Sequence, residues 1–182
     1  CNVVTATFTI TITAAPIATF NYSGSPYCKN GANPSPSFTG GGIAGTFTST
    51  AGLSINATTG QINLAASSAG TYTVTNTIAP SGGCLAVVQT AQVTITALPV
   101  ATFSYDSTTY CKSGANPVIT ITGSTGVFSS TTGLSLNSAT GAIDLSTSTP
   151  GNYTVTNTIA AAAGCNVVTA TFAITITAAP IA

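Results

Sequence analysis

The segment CNVVTATFTITITAAPIA, residues 1–18, occurs three times in this chain of 182 residues. It returns as CNVVTATFAITITAAPIA at 165–182 and, more loosely, as CLAVVQTAQVTITALPVA at 84–101. Apolar residues and threonines alternate along it, which places them on opposite faces of an extended strand. We expect the apolar row to face a hydrophobic core; in the first copy this row is Ala6, Phe8, Ile10, Ile12 and Ala14.

The composition excludes several classes of function. The chain has two Lys or Arg residues, two Asp or Glu residues and no His, so 2% of its residues are charged, where about 25% is usual. Nucleic-acid binding is excluded because it needs clustered basic residues. The 44% of hydrophobic residues argues against disorder. No apolar run is long enough for a transmembrane helix. The absence of Met predicts a mature product or a fragment of a longer protein.

Internal repetition predicts the domain organisation. Phe20 and Phe103 are equivalent at an offset of 83 residues, and Leu53 and Leu134 at an offset of 81. The two-residue difference falls in a glycine-rich loop, where a change of length is tolerated. We therefore expect a repeat at 19–100 and a second repeat at 101–182. Residues 1–18 are then predicted to be the last strand of a preceding repeat.

Each repeat contains about seven short alternating segments separated by turn signals. Residues 53–64, LSINATTGQINL, predict a hairpin in which Gly60 takes a positive φ. Residues 70–79, GTYTVTNTIA, predict a long strand with Tyr72, Val74 and Ile78 on its inner face. This pattern indicates an all-β fold of tandem immunoglobulin-like antiparallel β-sandwiches.

Asn76 and its equivalent Asn157 lie in the same inward row as these apolar residues. We expect each asparagine to be hydrogen-bonded near the end of its strand, since buried polar groups usually find partners. Contact with a neighbouring chain is the alternative.

The five cysteines are of two kinds. Cys28 and Cys111 lie in the motif YCK(N/S)GANP, whereas Cys1, Cys84 and Cys165 open the repeated strand. Pairing one of each kind predicts one disulfide per repeat, Cys28–Cys84 and Cys111–Cys165, and leaves Cys1 unpaired. Such a framework indicates an oxidising, extracytoplasmic location. Five reduced buried thiols are the alternative.

The linkers between repeats are short and contain proline. Proline fixes φ, and the residue before it is restricted to extended conformations. A chain of these repeats is therefore predicted to be a stiff rod that grows by about 40 Å per repeat, the length of a strand of 12–13 residues. The linker prolines are Pro16, Pro99 and Pro180.

A longer motif occurs in both repeats, as GLSINATTGQINLAASSAGTYTVTNTI at residues 52–78 and in matching form at residues 133–159. It resembles the immunoglobulin- or cadherin-like tandem repeats of giant Bacteroidota surface adhesins and filaments. The resemblance covers essentially the whole chain. It implies a non-enzymatic array outside the cell, at the bacterial cell surface. The expected partners are neighbouring repeats of the same chain, with identical chains in a fibre or a glycan as further candidates.

Catalytic and metal sites are not expected. General acid–base catalysis lacks its usual residues, because His and Glu are absent and the aspartates do not repeat. Asp106 and Asp144 are replaced by Ser23 and Asn63 in the other repeat, which argues against a repeated calcium site of the cadherin type. The cysteines are too far apart in sequence for a zinc cluster. No cofactor is predicted.

The first functional hypothesis is a structural segment of a long extracellular bacterial fibre or adhesin stalk that provides reach and stiffness. The alternative is a carbohydrate- or cell-binding adhesin module. A third hypothesis is ice binding by the threonine rows, whose hydroxyls would be about 6.6 Å apart along a strand. Residues 1–18 are predicted to pair within their own domain, or else to complete the sheet of a neighbouring one.

Overall fold

The computed structural model describes residues 2–180 and contains no helix in this range. No helix long and apolar enough to cross a membrane is therefore found among these residues. The chain divides into two compact units. The first consists of Cys1–Tyr27 and Gly31–Ile95, and the second of Cys28–Asn30 and Thr96–Ala182.

Six strands come from the first sequence repeat, and they form two sheets. The strands are β1 (Phe20–Asn21), β2 (Tyr27–Cys28), β3 (Ser37–Phe38), β4 (Thr46–Ser49), β5 (Gly70–Ile78) and β6 (Val87–Thr96). The smaller sheet pairs β1 with β3, and the larger has the order β2-β6-β5-β4.

Eight strands come from the second sequence repeat. They are β7 (Phe103–Tyr105), β8 (Thr109–Cys111), β9 (Ile119–Ile121), β10 (Val127–Ser130), β11 (Ser135–Leu136), β12 (Ile143–Asp144), β13 (Gly151–Ile159) and β14 (Val168–Thr177). The large sheet has the order β10-β13-β14-β8, and β7-β9 and β11-β12 are two-stranded sheets. Short β8 runs parallel to β14, whereas the other pairs of this repeat are antiparallel.

The predicted all-β, immunoglobulin-like fold is confirmed, with β8 as a parallel exception to the expected antiparallel pairing. Each core packs residues of the small sheet against those of the large one. The two cores use equivalent positions: Phe20, Tyr22, Phe47, Ile62, Leu64, Tyr72, Val74, Val93 and Ile95 in one, and Phe103, Tyr105, Phe128, Ile143, Leu145, Tyr153, Val155, Ile174 and Ile176 in the other.

The predicted faces of the long strands are confirmed in both repeats. Tyr72, Val74 and Ile78 are buried along β5. In the later copies of the repeated segment, Ile10 and Ile12 correspond to Val93 and Ile95 in β6 and to Ile174 and Ile176 in β14, and these four side chains are buried.

The first copy of the segment behaves differently. Residues 2–19 belong to no strand of the described structure, and Phe8 and Ile12 are 90% and 92% exposed. The expectation that this apolar row faces a core is therefore wrong for this copy, because no strand of the described chain pairs with it. Its assignment as the last strand of a preceding repeat stays a prediction.

The hairpin glycine is placed as expected. Gly60 has φ +72°, and its equivalent Gly141 has φ +74°. The buried hydroxyl of Tyr22 donates a hydrogen bond to the Gly60 carbonyl, as that of Tyr105 does to Gly141. The hairpin is thereby fixed to the residue that follows β1 in the first repeat and to the last residue of β7 in the second.

A buried asparagine holds three separate backbone segments in each repeat. Asn157 Nδ2 donates to the carbonyls of Ala101 at 2.9 Å and Ser124 at 3.2 Å, and its Oδ1 accepts from Gly126 N at 2.9 Å. Asn76 makes the same three contacts with Ala18, Ile43 and Gly45. Both asparagines are completely buried. The predicted hydrogen bonding is confirmed, and contact with a neighbouring chain is wrong because neither side chain is accessible.

Replacing Asn157 by Ala should destabilise the second unit by about 3 kcal/mol, because one buried and two partly buried backbone groups lose their partner. Asn166→Ala is the matched control, since that side chain is exposed, and it should change stability by less than about 0.5 kcal/mol. Guanidinium denaturation measures both. Equal effects of the two substitutions would contradict the assigned role.

Candidate functional site

The cysteines are the groups with distinctive chemistry in this chain, and the long strands determine where they lie. Strand β8 pairs with the end of β14, so that Cys111 lies opposite Thr177. Lys112 N donates to the Thr177 carbonyl at 3.0 Å. In the first repeat, Lys29 N donates to the Thr96 carbonyl at 2.9 Å. The motif YCK(N/S)GANP therefore adjoins the end of the long strand in both repeats.

The other kind of cysteine lies before the start of the same strand. The backbone of Cys84 forms a β-bridge with that of Ser81, and the backbone of Cys165 with that of Ala162, so each cysteine closes a tight turn. Cys165 precedes Thr177 by 12 residues. At about 3.3 Å per residue, this separation is about 40 Å along an extended chain. Each repeat therefore has its two cysteines at opposite ends of its longest strand.

The structure contains a disulfide between Cys28 and Cys165, whose Cα atoms are 4.7 Å apart. The predicted pairs Cys28–Cys84 and Cys111–Cys165 are wrong, because a disulfide requires Cα atoms within about 7 Å. Cys84 and Cys111 are free. The described residues thus have one disulfide in total, where one per repeat was expected. Cys1, predicted to be unpaired, lies outside the described residues.

The bond connects the two sequence repeats. Cys28 comes from the repeat at 19–100 and Cys165 from the repeat at 101–182. Both cysteines belong to the second compact unit, which includes Cys28–Asn30. The Sγ atom of Cys165 also lies 3.6 Å from the carbonyl oxygen of Ala97, in the linker segment TALP. The disulfide therefore lies beside the linker.

Cys111 lies in a polar environment that favours its thiolate. Its Sγ atom is 3.2 Å from the hydroxyl oxygen of Ser113 and 3.9 Å from the carbonyl oxygen of Ala178. Hydrogen bonding by Ser113 lowers the pKa of the Cys111 thiol below its ordinary value. A thiol of lowered pKa is ionised to a larger extent at neutral pH, which favours thiol–disulfide exchange.

The linker prolines lie outside the strands. Pro16 and Pro99 are half-buried, and Pro180 is exposed. Ala18 and Ala101 follow Pro16 and Pro99 by two residues. Their carbonyls accept hydrogen bonds from the buried Asn76 and Asn157. The hydrogen bond fixes the chain just after each of these linkers. That the prolines stiffen the joint stays a prediction.

Each repeat also has a cleft beside its hairpin, of about 400 Å³ in the second repeat and about 300 Å³ in the first. Asn116 and Asn33, at equivalent positions in the two clefts, accept hydrogen bonds from the backbone of their own repeats. Ligand pockets are usually lined by apolar and aromatic side chains, and among the described residues no aromatic ring lines either cleft. The lining residues are Asn116, Ser135, Leu136, Asn137, Ala142, Ile143 and Asp144, and Asn33, Ser54, Ile55, Asn56, Gln61 and Asn63.

Asp106 has a structural role in one repeat. Its Oδ1 accepts from the Tyr110 hydroxyl at 2.7 Å and from Val118 N at 3.0 Å. These hydrogen bonds lower the pKa of Asp106 below its ordinary value. Burial, followed by the bond to Asp106, raises the pKa of Tyr110 to about 12. The described residues contain no cluster of three or more His, Cys, Asp or Glu side chains that could hold a metal ion.

No protein-family model matches this sequence, and no curated protein matches it. Similar solved structures include mouse cadherin-23 EC22-24, with 14% identity over 90% of this chain and 66% of that one, and a TM-score of 0.35. Drosophila N-cadherin EC1-4 has 10% identity over 90% of this chain and 50% of that one, and a TM-score of 0.42.

A third similar structure is a SusE-like surface-located polysaccharide-binding protein from the heparin utilisation locus of Bacteroides thetaiotaomicron. It has 15% identity over 90% of this chain and 34% of that one, and a TM-score of 0.34. The chain therefore spans about two thirds or less of the length of these three proteins. At these TM-scores the likenesses carry no argument about its function.

Removing the disulfide with Cys28→Ser and Cys165→Ser should lower the free energy of unfolding by about 2–5 kcal/mol. The bond closes a loop of 137 residues, for which the chain-entropy estimate is about 5 kcal/mol. The control is Cys84→Ser with Cys111→Ser, which should leave stability nearly unchanged. Guanidinium denaturation with and without reductant checks the result, and reductant should affect the control but not the first variant.

Acid should destabilise the second unit selectively. The pKa of Asp106 is lower in the folded than in the unfolded chain, so its contribution is present above the ordinary value of 3.8 and is lost as pH falls through the lowered value. Asp144 behaves in the same way. Thermal denaturation between pH 6 and pH 2 should show a smaller acid loss in Asp106→Asn and none in the double variant with Asp144→Asn. The first unit, which contains no aspartate, is the internal control.

Proposed function

We propose that this chain is a structural segment of a long extracellular bacterial fibre or adhesin stalk. In this role it acts through reach and stiffness, and its partners are neighbouring repeats of the same kind. The observation that carries the proposal is the Cys28–Cys165 disulfide, which couples two successive sequence repeats. Disulfides persist in oxidising environments, which supports a location outside the cytoplasm.

The repeated hydrogen bonding supports a mechanical role. In each repeat the buried asparagine fixes the segment that follows a linker to the central strand of the large sheet. The segment is thereby held without charged side chains. Such a design suits a structure whose purpose is to maintain the distance between its ends.

The described residues give the alternatives less support. Carbohydrate binding would use the hairpin clefts, but their asparagines already bond to the backbone and their linings contain no aromatic side chain. Ice binding needs a regular row of hydroxyls. The outward threonine row is interrupted by Gln92 in β6 and by Ala173 in β14. The proposal is therefore a non-enzymatic structural role.

Electron microscopy of the native assembly should show rods with an axial period near 40 Å per repeat, set by the length of the long strands. Pro99→Gly should broaden the distribution of bend angles at the linker, because glycine restores the freedom that proline removes. Pro150→Gly, at an exposed loop position, is the matched control and should leave the bending unchanged. Dispersed globular particles would contradict the stalk role.

A further inference from the structure

The free cysteine Cys84 lies in the same kind of turn as the bonded Cys165, and both lie beside the preceding linker. The Sγ atom of Cys165 lies 3.6 Å from the carbonyl oxygen of Ala97. That of Cys84 lies 3.7 Å from the carbonyl oxygen of Thr13 and 3.8 Å from that of Ala14. Ala14 and Ala97 occupy the same place in the linker sequences TAAP and TALP. Both turns thus present a cysteine to the linker that precedes their repeat.

The free cysteine Cys111 corresponds in the same way to the bonded Cys28. Each lies at the end of the long strand of its repeat, with the following lysine N–H bonded to the last threonine of that strand. The bonded cysteines are more deeply buried than the free ones. Cys28 and Cys165 are 2% and 5% exposed, whereas Cys84 and Cys111 are half-buried. Each free thiol therefore occupies the position of one partner of the Cys28–Cys165 disulfide, but without the other partner beside it.

We propose that the Cys28–Cys165 bond is one instance of a disulfide that recurs with every repeat. Cys111 pairs with the turn cysteine of a further copy of the repeat that follows it, and Cys84 pairs with the YCK cysteine of a copy that precedes it. The partner is thus another copy of this repeat, and the inference rests on the proposed role in a repeat array. A bond between Cys111 and Cys165 is excluded by their separation along β14.

The reaction is thiol–disulfide exchange with a disulfide oxidant such as oxidised glutathione. The Cys111 thiolate attacks one sulfur of the oxidant, and a mixed disulfide forms between Cys111 and that half of the oxidant. The other half leaves as a glutathione thiolate. The turn cysteine of the further copy then attacks as a thiolate and displaces the second glutathione. The two protein thiols lose two protons and two electrons, and the oxidant is reduced to two thiols. The polar contact with Ser113 favours the first step because it stabilises the attacking thiolate.

The test is the full chain followed directly by a further copy of residues 102–182. The added copy continues in register, because the sequence PIA at 180–182 matches that at 16–18, which leads into the repeat at 19–100. The protein is oxidised with oxidised glutathione, its free thiols are alkylated, and its disulfides are mapped by mass spectrometry. We expect two bonds, Cys28–Cys165 and a bond from Cys111 to the turn cysteine of the added copy. Cys111→Ser in the extended chain should leave that turn cysteine open to alkylation.

Asn30→Ser tests the motif in the original chain. It converts YCKNGANP into YCKSGANP, the sequence around Cys111, at an exposed position. The inference requires that Cys28 still pairs with Cys165 in this variant. Loss of that bond would show that the Cys111 motif does not support the pairing, and would overturn the inference.

The extended chain gives the decisive result. Formation of Cys28–Cys165 while Cys111 stays alkylated, or is joined to Cys84, overturns the recurring disulfide. Formation of neither bond also counts against it, because the added copy would then have disrupted a pairing that the 182-residue chain makes. If the native assembly nevertheless forms rods in the electron microscope, the stalk role stands and only the recurring disulfide fails.

Discussion

The repeat depends on one buried amide and the three backbone groups that it satisfies. An asparagine in the middle of an apolar strand face is costly unless every polar atom is paired. Asn157 meets this condition only when Ala101, Ser124 and Gly126 converge on it. At Gly126 a Cβ atom would collide with the carbonyl of Thr158. The amide therefore fixes both the incoming segment and the glycine loop, and small changes at either would leave buried groups unpaired.

This constraint determines where the cysteines are found. Once the incoming segment is fixed, β8 follows within a few residues and pairs with the end of β14. The turn cysteine Cys165 lies between β13 and β14, which pair over nine residues. It is therefore a full strand length away from Cys111, which lies beside the far end of β14. Two cysteines of one repeat are thus kept apart by the same sheet that positions them. The length of the strands, and not the strength of any single contact, decides which cysteines can meet.

The alternation of apolar and polar residues allowed the strands and their buried faces to be predicted, because successive side chains of a strand point to opposite faces. Tyr72, Val74 and Ile78 are buried as this rule predicts. The inward Asn76 was also readable, since a polar residue in that row needs partners. The disulfide was not readable. Sequence repetition shows that two kinds of cysteine exist, but pairing depends on the parallel course of β8 beside β14, which alternation does not encode. For Phe8 the pattern predicted burial, but the side chain is 90% exposed, because a pattern cannot supply the strands against which a face packs.

The low charge of the chain suits this construction. With two lysines and two aspartates in 182 residues, ion pairs can contribute little to the stability of either repeat. Hydrogen bonds from the buried asparagines fix the segment after each linker within its own repeat, and a disulfide joins Cys28 to Cys165. Both are insensitive to ionic strength, whereas exposed charge pairs weaken as salt screens them. The segments that follow the linkers are therefore expected to stay bonded to their own repeats over a wide range of salt. Reduction would remove the covalent restraint between Cys28 and Cys165 and leave the buried amides unchanged.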